Sequence, residues 1–398
     1  MSRIEKLLLK HCPDGVEYRL LGEVLRNLDS KRRPVTRSAR AAGSVPYFGA
    51  NGIQDYVDDF LFDGTFLLMG EDGSVVNPDG SPVLNWATGR MWVNNHAHVL
   101  ASRNEEVDLR FAFYYLQTVD IRELVTGSAQ PKLNQANMNR IRIPVPPLEV
   151  QREIVRVLDM FQSLEAELEA ELEARWRQYA HYRDSLLDFT ERVGVRWMTL
   201  GEAGELFGGL SGKSKADFDS GNARYVTYMN VFSNIVTDVE AEDRVQINEG
   251  ERQRRLLRGD ILFTGSSESA DECGMSSVVT KEPPEPLYLN SFCIGYRMAD
   301  VELLNPEFAK HLFRSTSMRR QIVQTANGVT RFNVSKSRLA KVSIPVPPVE
   351  LQERIAGILD KFEALVNDIS VGLPAELAAR RSQYGYYRNR LLTFEEAA

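Results

Sequence analysis

One phrase is written twice in this chain: IRIPVPPLEVQREIVRVLDMF from Ile141 to Phe161 and VSIPVPPVELQERIAGILDKF from Val342 to Phe362, 201 positions later. Solenoid units repeat every 20–50 residues or so, so this distance fits a duplicated domain followed by a duplicated connector. A second marker shows where each copy opens. GVEYRLLGEV (Gly15 to Val24) aligns with GVRWMTLGEA (Gly194 to Ala203), 179 positions apart, so the second globular segment is about 22 residues longer. The chain thus divides into a globular segment at 1–143, a connector at 144–193, a second globular segment at 194–343 and a second connector at 344–398. Both globular segments carry alternating apolar residues and turn pairs such as Asp72-Gly73 and Asp79-Gly80, and read as strand mixed with short helix.

After each IPVPP the apolar period changes to three or four. Pro147 and Pro348 suit a first helical turn, where a missing N–H costs nothing. The stripe of the first connector includes Ile154, Leu158, Phe161, Leu168 and Tyr179; that of the second includes Ile355, Leu359, Phe362 and Tyr384. A helix of about 40 residues is about 60 Å long, more than a small domain can cover, so the two stripes are expected to bury each other as a coiled coil. Chain direction makes that pair antiparallel. The fold class is therefore α+β: two mixed globular domains separated by two long antiparallel helices, related by a pseudo-twofold duplication. Both connectors close alike, in RQYAHYRDSLLDF and SQYGYYRNRLLTF, with the offset grown to 205, so the second holds four extra residues. Gly372-Leu373-Pro374 is the expected place for them, since proline inside a helix kinks or breaks it. LEAELEAELEA (Leu164 to Ala174) is a four-residue unit in tandem, either a plain helical surface or a ruler whose every unit adds about 6 Å.

The net charge of -7 sits on the connectors, at -5 for 144–193 and -2 for 344–398, while both globular segments are neutral. Within them lie basic runs. KRRPVTRSAR (31–40) has five cations, and His311 to Lys341 has seven with no Asp or Glu, a pattern that points to phosphate contact. Three scattered cysteines, Cys12, Cys273 and Cys293, suit free thiols in a reducing cytoplasm, and no apolar run approaches 18 residues, so no membrane partner is expected.

Catalytic patterns fail one by one. FGGLSGKS (Phe207 to Ser214) ends like a phosphate-binding loop but has Phe where GxxxxGK[ST] needs its first glycine. His96 and His98 share one strand face without a third ligand nearby, so a structural role is expected and no metal site. GxSxG, HExxH and EF-hand patterns are absent, and no catalytic centre is read in this chain. What remains are matched polar segments. GSAQPKLNQANMNR and GVTRFNVSKSRLAK precede the two connectors, offering Gln130, Lys132 and Asn134 in one half and Arg331, Asn333 and Lys336 in the other. GTFLLMGEDGS and GDILFTGSSES each deliver a polar loop from an apolar strand, with Ser266 and Ser267 in the second. Lys31, Arg32, Arg33, Arg37, Lys213 and Lys215 complete the candidate DNA contacts. Arg, Asn and Gln can bond base edges bidentately, and loops on a rigid scaffold are where recognition usually resides.

At its IPVPP, QYxxYR and GVxYxxLGE elements the sequence resembles the specificity subunit of type I restriction–modification systems, over nearly its whole length. The resemblance implies that 1–143 and 194–343 are target recognition domains, each reading half of a bipartite double-stranded DNA site. It implies that the helices act as spacer and bind two modification subunits, which bring S-adenosylmethionine and methylate adenine. Separate restriction subunits then cleave using ATP and Mg2+. The recognition loops are the family's variable part, so no DNA contact is carried over from it. Two other readings stay open from the residues alone: a stand-alone DNA-binding regulator, and a coiled-coil scaffold indifferent to DNA.

Overall fold

The computed structural model describes residues 3–127, 129–190, 192, 194–218, 221–367 and 372–397. The chain forms two compact units, 1–169 with 377–398, and 170–376. Each unit joins a globular segment to parts of both connectors.

The first unit contains α1 (Arg3–His11), β1 (Tyr18–Leu20), α2 (Leu21–Val24), β2 (Leu25–Asn27), β3 (Ala42–Gly49), β4 (Gly52–Val57), β5 (Phe62–Gly70), β6 (Leu84–Val93) and β7 (Ala97–Ser102). It continues through α3 (Leu109–Leu116), α4 (Gln135–Asn139), β8 (Arg142–Pro144) and the start of α5 (Leu148–Leu186). Six strands form one sheet in the order β2-β7-β5-β6-β3-β4. Successive residues of β5 point to opposite faces: Leu67 and Met69 enter the core under α3, while Phe66 and Leu68 enter a second cluster with Met91 and Val99. Burial on both faces is why this strand reads as a continuous apolar run rather than an alternation.

The second unit runs through β9 (Arg196–Thr199), α6 (Leu200–Ala203), β10 (Gly204–Gly208), β11 (Ala223–Val226), α7 (Tyr228–Ser233), β12 (Arg244–Val245), β13 (Ile261–Thr264), β14 (Ser266–Ser267) and β15 (Ser276–Val278). Then follow β16 (Leu287–Leu289), β17 (Cys293–Met298), α8 (Pro306–Arg314), α9 (Thr316–Val323), β18 (Ala326–Asn327), β19 (Phe332–Val334), α10 (Lys336–Leu339), β20 (Ser343–Val346) and α11 (Val349–Asn367). Its strands form small sheets, β10-β17-β13-β15, β12-β11-β16 and β14-β19-β18. The extra length of this segment thus comes with a more divided architecture.

The repeated markers meet in space. The opening strand pairs with the strand of IPVPP in both units, β1 with β8 and β9 with β20, placing Tyr18 opposite Pro144 and Trp197 opposite Pro345. Gly22 in the following turn lies against α4, where an added Cβ would come within 2.8 Å of the Asn139 side chain. Pro147 and Pro348 stand one residue ahead of α5 and α11, their carbonyls accepting the first helical N–H groups of each. A buried glutamine then anchors each helix. Gln151 donates to the carbonyls of Glu106 (2.8 Å) and Pro146 (2.6 Å) and accepts from the Asp108 N–H (2.8 Å). Gln352 repeats the set with Leu303 (3.1 Å), Pro347 (2.8 Å) and the Asn305 N–H (2.8 Å). Asp108 and Asn305 are the caps of α3 and α8. One side chain therefore fixes a connector helix to the first turn of a domain helix.

The second connector comprises two helical segments, α11 and α12 (Gly372–Leu391). Gly372 has φ +77°, foreign to a right-handed helix, and Pro374 lies in the first turn of α12, where its missing N–H is harmless. The apolar stripes divide their work along each helix. Val150, Ile154 and Leu158 fill the first unit's core, and Ile355 and Leu359 the second's, so these early turns are covered mainly by their own domain. Further along, helix meets helix. In the first unit Phe161 stacks on Tyr387 and tilts against Tyr384, and Arg381 reaches both Glu165 (2.7 Å) and Glu169. In the second unit Tyr182 stacks on Phe362 with centroids 5.4 Å apart, and Tyr179 is buried in the core with Val366 and Leu172 alongside. Rising numbers on α5 meet falling numbers on its partner, so the pairing is antiparallel in each unit. Leu168 is half-buried on the same side. The tandem Leu-Glu-Ala-Glu unit presents two carboxylates one turn apart to a single guanidinium.

Candidate nucleic-acid interface

In both units the structure brings together the two polar segments that precede the connector and follow the central strand. In the first, Leu133 N–H donates to Glu71 O (2.8 Å), Gly73 N–H donates to Pro131 O (3.0 Å), and the backbones of Asp72 and Lys132 form an antiparallel β-bridge. In the second, β14 pairs with β19, setting Ser266 opposite Asn333 and Ser267 opposite Phe332. An apolar strand buried in the core thus holds one loop, and that loop holds the other.

The side chains differ sharply between the halves. Gln130 and Lys132 are exposed, Lys132 lying 3.4 Å from a Glu71 oxygen, while Asn134 caps α4 by accepting from the Asn137 N–H (2.9 Å). Lys31, Arg33 and Arg37 are exposed, but Arg32 turns inward. Its guanidinium binds Glu71 (2.6 Å), Asp29 (3.3 Å) and the Ala97 carbonyl (2.7 Å) with 12% of the side chain accessible, which commits it to the interior of the unit. His98 is fully buried, Nδ1 on Asp29 (2.6 Å) and Nε2 on the Leu133 carbonyl (2.8 Å). A carbonyl only accepts, so Nε2 carries a proton, and the ring ties the loop segment to the sheet. Hydrogen bonds from His98 help hold the Asp29 carboxyl below its ordinary range despite burial, which acts the other way. Asp29, Glu71 and His98 lie within ligand distance of one another, but Arg32 pairs with both carboxylates and Lys132 with Glu71. His96 pairs instead with Asp72.

In the second unit Ser266 is 7% exposed and accepts from Arg331 Nη2 (3.1 Å), and Ser267 lies on the same strand edge. Asn333, Arg331 and Lys336 are exposed. Beside them opens a recess of about 430 Å³, lined by Tyr228, Phe232, Ser266, Ser267, Glu272 and Arg331 among others. Lys215 is exposed on its turn, whereas Lys213 keeps 3% of its side chain accessible and places Nζ 2.5 Å from Glu251. That inward ion pair spends the Lys213 charge on Glu251. It also holds the Glu251 carboxyl at about 2, through hydrogen bonds from Lys213 and then Gln253. A depressed carboxyl favours the fold above its unfolded value, about 4.3, and that contribution disappears as pH falls through about 2. Lys213→Met should return the Glu251 titration toward about 4.3 in carboxyl-detected NMR; an unmoved midpoint would show that Gln253 alone sets it.

A family model described as the type I restriction modification DNA specificity domain matches residues 13–174 and again 193–379. The chain belongs to this specificity family. Among its relatives, a type I restriction enzyme specificity subunit from Haemophilus influenzae is 32% identical over 95% of this chain and 96% of its own length. One from Escherichia coli is 28% identical over 99% of this chain and 97% of its own. Of solved structures, the type I restriction–modification S subunit from M. genitalium covers 95% of this chain and 96% of its own, at TM-score 0.51 and 15% identity. A chain from a study of complex assembly and conformational transition in a type I system covers 96% of this chain and 98% of its own, at 0.58 and 16%. At such identities the likeness is one of fold. Two specificity-family matches along one chain agree with the two sets of paired loops described above.

Sequence reasoning named Ser266, Ser267 and Arg331 but missed both anchoring glutamines and the aromatic, Met and Glu lining of the recess. The glutamines were legible in principle, since EVQRE and ELQER place Gln at the same point of the repeat. The recess was not, because Tyr228, Met229, Phe232 and Phe292 look like ordinary core residues until the fold exposes them.

Proposed function

We propose that this chain is the DNA-specificity subunit of a type I restriction–modification complex, without a catalytic centre of its own. The observation that supports it most is the paired recognition loops built twice, on the same scaffold strand, with unlike side chains. One chain then addresses two different half-sites of a bipartite double-stranded target, as protein symmetry mirrors site symmetry in dimeric DNA readers. The antiparallel helices set the unread gap and dock two modification subunits, which supply S-adenosylmethionine and adenine methylation. Restriction subunits bring ATP, Mg2+ and cleavage, and the whole works in the cytoplasm, in keeping with three free thiols. The test is to assemble the chain with its modification subunits and map methylated adenines. Replacing residues 15–143 by the corresponding segment of a relative should change one half-site and leave the other; a single continuous target, or none, would overturn the reading.

A further inference from the structure

The recess of the second unit holds donors and acceptors in separate groups. Arg331 spends one guanidinium nitrogen on Ser266. Ser266 is buried, accepts that bond and lines the recess. Opposite in character are Glu268 and Glu272. Glu272 has a long contact from Ser267 Oγ at 3.5 Å, and neither carboxylate has a cationic partner among the described residues. Two uncompensated carboxylates repel a phosphate, so the recess is poorly suited to the DNA backbone even though it sits in a basic stretch. Its remaining walls are apolar. Tyr228 and Phe232 stack at 6.0 Å, and Met229 and Phe292 leave 59% and 60% of their surfaces exposed, a cluster of the kind that marks contact surfaces.

We propose that this recess reads the major-groove edge of a G·C base pair in the half-site met by the second unit. That edge presents two acceptors, guanine N7 and O6, followed by one donor, the cytosine N4 amino group. Arg331, backed by Ser266, serves the acceptors; Glu272 or Glu268 accepts from N4; Met229 and Phe292 exclude water around them. An A·T edge would set the thymine O4 acceptor against a carboxylate. The inference rests on the DNA-specificity reading above and names a base pair and residues within it.

The experiment uses the full chain assembled with modification subunits, with binding and methylation scored over a library randomised through both half-sites at several salt concentrations. The Arg331→Ala variant should weaken binding to the preferred target by about 5- to 150-fold and make one G·C position of the second half-site degenerate. Glu272→Gln should relax that same position and no other. The other positions of the second half-site, read in the same assay, report that the second unit of each variant is folded. A uniform loss over all sequences, with the salt slope falling by about one, would assign Arg331 to a phosphate and overturn the proposal. So would a wild-type-like profile. A wild-type complex with no bipartite target would overturn the functional reading itself, a distinguishable result.

Discussion

Gln352→Leu is expected to lower the stability of the second unit by about 3–5 kcal/mol, and Gln151→Leu to do the same in the first. Leucine matches the volume but makes none of the three hydrogen bonds. The Asn305 N–H and the carbonyls of Leu303 and Pro347 would then lose their protein partner at a site where the Gln352 side chain is fully buried. Each orphaned buried group costs about 1–3 kcal/mol. Because Asn305 is itself the cap of α8, the loss reaches the first turn of that helix as well. Hydrogen exchange followed region by region in urea would resolve the two units; protection lost only in the unit carrying the change is the expected pattern, and a cost below about 1 kcal/mol would show that water replaces the glutamine.

Asp260→Ala should cost about 3 kcal/mol. Asp260 is wholly buried and accepts from Arg297 Nε (2.7 Å) and Nη2 (2.6 Å) and from the Leu257 N–H (2.8 Å). Removing one member of a buried pair leaves an uncompensated charge, which costs about 3–5 kcal/mol. The lower end applies here, because 23% of the Arg297 side chain reaches solvent and its guanidinium can turn outward. Asp260→Asn, which keeps the shape and one acceptor, should cost less. Equilibrium unfolding of the three proteins side by side checks the order; an asparagine variant as stable as the wild type would mean the charge pair contributes nothing beyond shape.

Most of the scaffold was legible because it was duplicated. The IPVPP repeat located both helix starts within one residue, and Gly372-Leu-Pro coincides with the start of α12. What misled was the length argument for the stripes. It gave Ile154, Leu158, Ile355 and Leu359 to helix pairing alone, whereas they also belong to the domain cores, with residues of α3 and α8 that sequence could not place beside them. The candidate site was legible as segments but not as side chains. Lys213 and Arg32 have the composition of phosphate contacts, yet Glu251 and Glu71 capture them from 38 and 39 positions away, a pairing only tertiary structure creates. The two serines, Arg331 and Asn333 do come together, because β14 directly follows the apolar strand β13, recognisable in GDILFTG, and pairs with β19.

The pairing of β1 with β8 and of β9 with β20 means that each recognition segment leaves and re-enters the scaffold at one point. To the rest of the chain it is a loop already closed. The entropy of closing such a loop grows only logarithmically, about 0.6 kcal/mol for every doubling of length, so the longer second segment costs the scaffold far less than that. Length, strand count and loop chemistry inside the closure can therefore drift almost without thermodynamic consequence outside it, and a family built this way can change what it reads without rebuilding what holds it.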